Sequence, residues 1–384
     1  MKKKILFIHT TYRSLGGEDI AVRKEYEFLK QHYDVRSFYL SNNSENLLND
    51  IFIFAFNRNY LASLKLKKIV REFKPEIAYI HNTWYKGSLS IFYTLSKLKI
   101  PYFIKLHNFR YFCTKTFSSK NHLAGQTFCQ ACGYRKTQGF NKYFKDSYLK
   151  SYMMNMYGRK YFEILKKDSK KIFVLTKFHK NFLKSLGVDN KKISVFPNYL
   201  DHKSQKKSET VNDYFVYAGR ISEEKGVEQL IKAFNNCKLE NIKLIIVGNG
   251  PKYKEYSLKY NSENVVFKNQ MKNEETLNLI AGSKCVVTAT KLYEGQPTLL
   301  CEASLLGIPS IFPTTGGVEE FFPSNYNYSF QQYSYVDLEN KLKSIVKDIP
   351  QKIGKNNQEF IKAYLDKEKL LNLFNGSLEA VTKE

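Results

Sequence analysis

The 384 residues, with 43% hydrophobic and 15% aromatic side chains, exclude a disordered chain and exceed one comfortable core, so two domains are expected. Gly 19 and Pro 9 leave little room for long flexible linkers. Residues 1–200 hold 37 basic and 13 acidic side chains, which leaves 24 and 23 for the remainder of the 61 and 36, so the charge excess sits in the first half and favours anionic partners there. A general lysine bias would raise the count everywhere and leaves this asymmetry unexplained.

In chain order, Lys2, Lys3 and Lys4 precede an apolar run, 5–8, that His9 ends far short of a secretory core region. No later stretch has the apolar length of a spanning helix. A cytoplasmic protein is expected, peripheral at the inner face of the plasma membrane at most, with its six cysteines as thiols or metal ligands. Residues 4–9 read as a strand ending at Leu15-Gly16-Gly17, after which Glu18 and Asp19 open a helix through Ala21, Val22, Tyr26 and Leu29. Further strands are expected at 34–40, 77–81, 101–107, 172–176 and 193–196, and helices at 60–73, 88–98, 141–167 and 178–186. A polar tract follows. Strands then recur at 214–218, 244–247, 265–268, 285–289 and 309–312, with helices at 227–235, 274–281, from Pro297, at 318–322 and over 351–374. Alternating strands and helices imply parallel sheets covered on both faces. The expectation is an α/β chain of two Rossmann-like α/β/α domains facing across a cleft, at 1–200 and 214–350. Residues 201–213 would link them, and a helical segment, 351–384, would pack back toward the first.

The stretch Tyr293-Glu294-Gly295-Gln296-Pro297-Thr298-Leu299-Leu300-Cys301-Glu302 concentrates the chemistry. Pro297 suits the first position of a helix, which leaves Glu294 in the loop before it and Glu302 inside it. First-turn N–H groups, those of Thr298 and Leu299, then form an anion site flanked by two hydroxyl-accepting carboxylates. A nucleotide sugar offers a ribose, a diphosphate and a hexose to such a site. Arg220 and Lys225 lie in the loop leaving an expected strand, where open α/β sheets bind ligands and where two cations would clamp a diphosphate. A solvated turn is the alternative. The Gly248-Asn249-Gly250 turn after another strand is either a tight turn or a contact to a nucleotide base.

Several motifs in this order carry a resemblance: Gly16-Gly17-Glu18-Asp19, Leu106-His107-Asn108-Phe109-Arg110, Phe196-Pro197-Asn198, and Ala218-Gly219-Arg220 with Glu224-Lys225-Gly226. Val247-Gly248-Asn249-Gly250-Pro251, the pair Glu294 and Glu302, and Gly316-Gly317 complete the set. The chain resembles the retaining glycosyltransferases of family 4, of GT-B architecture, over nearly its whole length. The resemblance implies an acceptor-binding first domain and a nucleotide-sugar-binding second one. It implies that Arg220 and Lys225 neutralise the donor diphosphate and that Glu302 binds the ribose hydroxyls. Glu294 would hold hydroxyls of the transferred sugar, amides near Thr298 and Leu299 would meet phosphate, and His107 would face the sugar and diphosphate. Gly16 and Gly17 would admit donor and acceptor close to the backbone. Where many relatives read Glu-Gly-Phe-Gly, this chain has Glu294-Gly295-Gln296-Pro297. Pro297 removes one N–H there, and Gln296 is a candidate contact to the donor sugar.

No metal is expected in catalysis, because Arg220 and Lys225 take the place of a divalent cation. The implied acceptor is a glycan, or one linked to polyprenyl diphosphate, in bacterial capsular, exopolysaccharide or O-antigen assembly. Peripheral contact with anionic membrane would run through the basic first half. The basic, aromatic stretch 141–171 is either a helix packed on the sheet or a lipid-facing surface. Cys113, Cys129 and Cys132 have spacing seen in zinc sites, with His122 a candidate fourth ligand; reduced cysteines in an acceptor loop are the alternative. Two rival functions remain. One is a nucleotide-sugar epimerase of the same fold. The other is a basic nucleic-acid-binding protein, disfavoured because no such motif appears and the better motif set lies in the charge-neutral half.

Overall fold

The computed structural model describes residues 2–12, 16–43, 47–109, 111, 147–200, 212–348 and 350–382. The three-cysteine loop, His122 and most of the expected linker lie outside the described residues. Two compact units account for the rest, one from 2–200 together with the C-terminal helix, the other from 212–366.

In the first unit, strands β1 (Lys4–Thr11), β2 (Asp34–Ser41), β3 (Ile77–Ile80), β4 (Tyr102–Leu106), β5 (Lys171–Val174) and β6 (Ile193–Val195) pair in the order β2-β1-β3-β4-β5-β6, all parallel. Helices α1 (Gly17–His32), α2 (Leu47–Phe56), α3 (Tyr60–Phe73), α4 (Ser90–Lys97), α5 (Tyr148–Lys167) and α6 (Lys177–Ser185) connect them. The central strands are buried on both faces, which explains their unbroken apolar runs. One face carries Phe7, Tyr79, Phe103, Phe173 and Phe196, packed against Val22, Phe28 and Leu29 of α1. The same face takes Leu370, Phe374 and Leu378 from the C-terminal helix Lys367–Thr382, a stripe at spacing four. The Phe374 ring lies 5.3 Å from that of Tyr79 and 5.8 Å from that of Phe173.

In the second unit, β7 (Tyr214–Ala218), β8 (Lys243–Val247), β9 (Val265–Lys268), β10 (Cys285–Val287), β11 (Ser310–Thr314) and β12 (Ser329–Gln331) pair in parallel in the order β12-β11-β10-β7-β8-β9. The helices are α7 (Val227–Cys237), α8 (Tyr253–Tyr260), α9 (Asn273–Ala281), α10 (Thr298–Leu305), α11 (Tyr335–Lys347) and α12 (Pro350–Tyr364). The C-terminal helix of the first unit is therefore α13. The single helical stretch expected at 351–374 is two helices broken at Leu365-Asp366. The α12 half belongs to the second unit, where the Gln358 Nε2 donates to the Leu305 carbonyl and a Cβ on Gly354 would meet the Gly307 carbonyl at 1.8 Å. Pro297 takes the position before the first helical residue, with φ −81 and ψ 86, one place earlier than its residue type suggests.

Both sheets reverse strand order once, between β1 and β3 in the first and between β7 and β10 in the second. Loops leaving adjacent strands diverge at such a point and open a crevice at the carboxyl edge.

Candidate functional site

In the second unit the reversal places the loop after β7 beside the loop after β10. Gly226 ends the first of these with φ +68, and a Cβ there would meet the Ala289 carbonyl at 1.9 Å. Only glycine allows that approach. The Lys291 N–H donates to the Glu224 carbonyl at 2.9 Å and fixes the two loops in register. The Lys225 ammonium then donates to the Glu294 Oε1 at 2.6 Å. The Thr290 hydroxyl donates to the same oxygen at 3.0 Å. Behind Glu294, the Gly317 N–H donates to its carbonyl at 3.1 Å, and Gly316 sits at φ +59 where a Cβ would lie 2.2 Å from that carbonyl. The Glu294 carboxylate is thus held by Lys225 and Thr290, and its backbone by Gly317.

Arg220 is exposed at the end of β7, with no ion-pair partner among the described residues, and its carbonyl accepts from the buried Tyr217 hydroxyl at 2.9 Å. Burial, with the Glu294 and Glu224 charges, pushes the Tyr217 phenol far up, so it serves as a neutral donor. Gly248 is packed so tightly that a Cβ would meet the Gly219 carbonyl at 1.9 Å, and the Asn249 carbonyl accepts from the Ile221 N–H at 2.9 Å. Arg220, Lys225, Gly248, Asn249 and Glu294 therefore share one sheet edge. The first bond of α10 runs from the Cys301 N–H to the Pro297 carbonyl at 3.0 Å, which leaves the Thr298 and Leu299 N–H groups ahead of the helical ladder. Gly295 is half-buried, and Gln296 and Glu302 are both buried, at 8% exposure each.

In the first unit, His107 at the end of β4 meets His81 at the end of β3, with Nε2 of one and Nδ1 of the other 2.9 Å apart and the rings stacked. One ring must donate and the other accept, so a single proton sits between them. Burial holds both far below the usual imidazole range, and the Lys105 charge adds to this. They floor a pocket walled by Glu18, Asn82, Trp84, Asn108 and Tyr157. The Glu18 carboxylate accepts from the Tyr12 hydroxyl at 3.0 Å and from the Asn108 amide at 3.1 Å. Gly16 and Gly17 directly precede Glu18 in the chain and do not line the pocket themselves. A Cβ on Gly17 would meet nothing within 4 Å, and one on Gly16 only the Asp19 Oδ2 at 3.9 Å. The fold of this unit does not itself demand glycine at either position.

His81, Glu18, Asn82 and Trp84 were not singled out by the sequence pattern as site residues. His81 was legible only as the last residue of a buried strand. The buried pair of His9 Nε2 and Asp19 Oδ1, 2.9 Å apart, ties the end of β1 to the first turn of α1, and the other Asp19 oxygen accepts from the Gly16 N–H at 3.0 Å.

A further buried histidine, His179 of α6, packs on Phe109 and Tyr111, and neither ring nitrogen has a hydrogen-bond partner among the described residues. Burial lowers its pKa from 6.5 to about 3. The unfolded chain takes up this proton below about 6.5 and the folded chain does not, so the stability is full above that pH and falls by about 1.4 kcal/mol per unit as the pH drops toward 3. His179→Phe is expected to remove one proton's worth of that slope. Urea unfolding at a series of acidic pH values, followed by the fluorescence of the single tryptophan, Trp84, measures it; an unchanged slope would contradict it.

Residues 200–361 match the family of glycosyl transferases group 1. An uncharacterized glycosyltransferase of Methanocaldococcus jannaschii is 27% identical over 271 residues, which is 64% of this chain and 57% of the relative. The chain thus spans less than two thirds of that relative's length. Among solved structures, HepE of Anabaena in complex with UDP and glucose is 15% identical, with 98% of this chain and 100% of that one covered at a TM-score of 0.71. Sucrose-phosphate synthase of Thermosynechococcus elongatus is 15% identical, with both chains fully covered at a TM-score of 0.72. The lipopolysaccharide outer core galactosyltransferase WaaB, in its apo form, is 15% identical, with 98% and 99% covered at a TM-score of 0.64. The fold is α/β, with the two six-stranded parallel sheets of GT-B glycosyltransferases.

Proposed function

We propose that the protein is a retaining glycosyltransferase of family 4 that moves a hexose from a nucleotide-sugar donor to a glycan or lipid-linked acceptor in bacterial surface-polysaccharide assembly. The observation that carries this reading is the Lys225–Glu294 ion pair, held at the strand-order reversal of the second sheet immediately before the helix that bears Glu302. A cation, an anchored carboxylate and first-turn amides ahead of the helical ladder at one sheet edge match a diphosphate flanked by two hydroxyl-bearing rings. HepE, which has the same fold, was solved with UDP and glucose, so UDP-sugars are the first donors to test.

In this reading the donor diphosphate displaces Lys225 from Glu294. Lys225 and Arg220 then bind the phosphates, and Glu294 accepts from hydroxyls of the transferred sugar. Glu302 takes the ribose hydroxyls, the Thr298 and Leu299 amides meet phosphate, and Gln296 and Gly295 border the sugar. Gly248 and Asn249 contact the base. The bond from the anomeric carbon to the phosphate oxygen breaks as the acceptor oxygen bonds to the same face. The leaving phosphate takes the acceptor's proton. Charge builds on that phosphate, and Lys225 and Arg220 stabilise it with no metal ion. The pocket beside His107 receives the acceptor, with Trp84 as an apolar platform and Glu18, which follows Gly16 and Gly17 in the chain, as a hydroxyl acceptor.

Thermal unfolding of the purified protein against a panel of nucleotide sugars tests the donor assignment. A matching donor raises the apparent stability by about 2.7 kcal/mol at a hundredfold excess over its dissociation constant. A panel without any shift would contradict it.

A further inference from the structure

The outward face of α2 and of the first turn of α3 is apolar in a way the fold does not use. Ile51, Phe52 and Phe56 on α2, then Tyr60, Leu61 and Leu64 on α3, are all exposed, Phe56 at 61% and Tyr60 at 70%. The Phe52 and Phe56 rings touch, with centroids 4.7 Å apart. Only the residues Asn57, Arg58 and Asn59 separate the two helices. Folded monomers rarely leave so many large apolar side chains together in water.

The opposite side of this helical pair is firmly anchored, partly by polar groups. The Lys86 ammonium pairs with Asp50, which is buried. The Asn59 amide donates to the Lys86 carbonyl at 2.8 Å, the Asn59 N–H donates to the Ser90 hydroxyl at 2.8 Å, and the Asn59 Oδ1 caps α3 by accepting from the Ala62 N–H at 3.0 Å. Ile53, Ala62, Leu66 and Val70 fill the apolar core side. The exposed face is therefore a fixed surface and cannot roll inward without breaking buried polar contacts.

Charge identifies what would cover it. No acidic residue occurs between Asp50 and Glu72, whereas Arg58, Lys65, Lys67, Lys68 and Arg71 all lie in that interval. Along α3 the exposed residues pass from Tyr60, Leu61 and Leu64 to Lys65, Lys68 and Arg71, an apolar end followed by a basic band that one acid closes, Glu72, whose carboxylate lies 3.9 Å from the Lys68 ammonium. That order matches the boundary of an anionic bilayer, where acyl chains lie beneath negative headgroups. A second copy of this chain would bring one basic band against another. With ten residues, α2 reaches only about 15 Å, half of the roughly 30 Å hydrocarbon core, so it can lie in the interface and cannot span it.

We propose that the apolar face of α2 and of the start of α3 docks the protein on an anionic lipid bilayer, with Phe52, Phe56 and Leu61 inserted among the headgroups and Lys65 and Lys68 on the phosphates. This deepens the membrane contact expected of a lipid-linked acceptor, but its test needs no nucleotide sugar, so it stands or falls apart from the transfer reaction.

The experiment is co-sedimentation of the full chain with vesicles of phosphatidylcholine, with and without phosphatidylglycerol. The wild type should bind the mixed vesicles more tightly than the neutral ones. Phe52→Ser with Phe56→Ser and Leu61→Ser should weaken that binding by at least about tenfold, because three large apolar side chains no longer leave water. Lys65→Glu with Lys68→Glu should abolish the preference for phosphatidylglycerol. Matching melting curves would confirm that both variants are folded. A wild type that binds neither vesicle, or apolar variants that bind as well as the wild type, would overturn the proposal. So would self-association in solution that the apolar substitutions abolish while vesicle binding is unchanged.

Discussion

Lys225→Ala is expected to lower turnover with nucleotide sugar by about 10²–10³-fold, the loss typical when one group stabilising a developing anion is removed. Stability should hardly change. The Lys225 and Glu294 side chains are 30% and 24% exposed, and ion pairs open to water to that degree contribute roughly 0–1 kcal/mol. A large loss of turnover without loss of stability separates a ligand-binding cation from a structural one. Steady-state assays of donor hydrolysis, alongside thermal unfolding, measure both. Turnover within a few-fold of the wild type would remove Lys225 from the reaction.

Lys105→Met is expected to destabilise the first unit by about 3–5 kcal/mol, because it strips the Glu25 carboxylate of its partner inside the core. Lys105 lies in the middle of a fully buried strand, and its ammonium donates to the Glu25 Oε2 at 2.5 Å and to the Pro197 carbonyl at 3.3 Å. The Tyr79 hydroxyl donates to the other Glu25 oxygen at 2.5 Å. Burial pulls the Lys105 pKa down, and the Glu25 charge opposes that shift. Replacing both partners, as Lys105→Met with Glu25→Leu, should recover most of the loss, since a buried pair exchanged for apolar groups is often neutral. Tyr79→Phe in the same chain would remove the hydroxyl left without its acceptor. Urea unfolding followed by Trp84 fluorescence reports this unit, which contains the only tryptophan. A double variant no more stable than Lys105→Met would contradict the explanation.

Strands were the most legible part of the fold. Runs such as Ile77-Ala78-Tyr79-Ile80 are short, apolar and bounded by polar residues, and both sheets follow from their alternation with helices. The α2 helix was not legible, because Ile51, Phe52, Phe54 and Phe56 lie on several sides of it and give no single stripe. The α8 helix, at Tyr253–Tyr260, buries Tyr256 alone and leaves almost no periodic signal. No helix was expected over α11 either, although its stripe of Leu338, Leu342 and Ile345 has helical spacing. A lysine in the middle of β4 gave no sign of being buried, since its partner Glu25 lies 80 residues away.

Within the second unit, spacing placed Glu294 before a helix and Glu302 inside it, and residue types marked Arg220 and Lys225 as loop cations. The contact between Lys225 and Glu294 was not in the sequence, because it depends on β7 and β10 being neighbours. The His81–His107 pair likewise depends on β3 lying beside β4. Local signals locate the ends of strands, whereas long-range pairing decides which ends meet.

Calorimetric titration of nucleotide sugars into the wild type and into Glu302→Ala tests the donor site most directly. At least one nucleoside diphosphate sugar should bind the wild type, and Glu302→Ala should weaken it by about 10–100-fold, the value of a hydrogen bond to a charged group. Equal affinity in the two proteins, or no binding to the wild type, would contradict a donor site built on this helix.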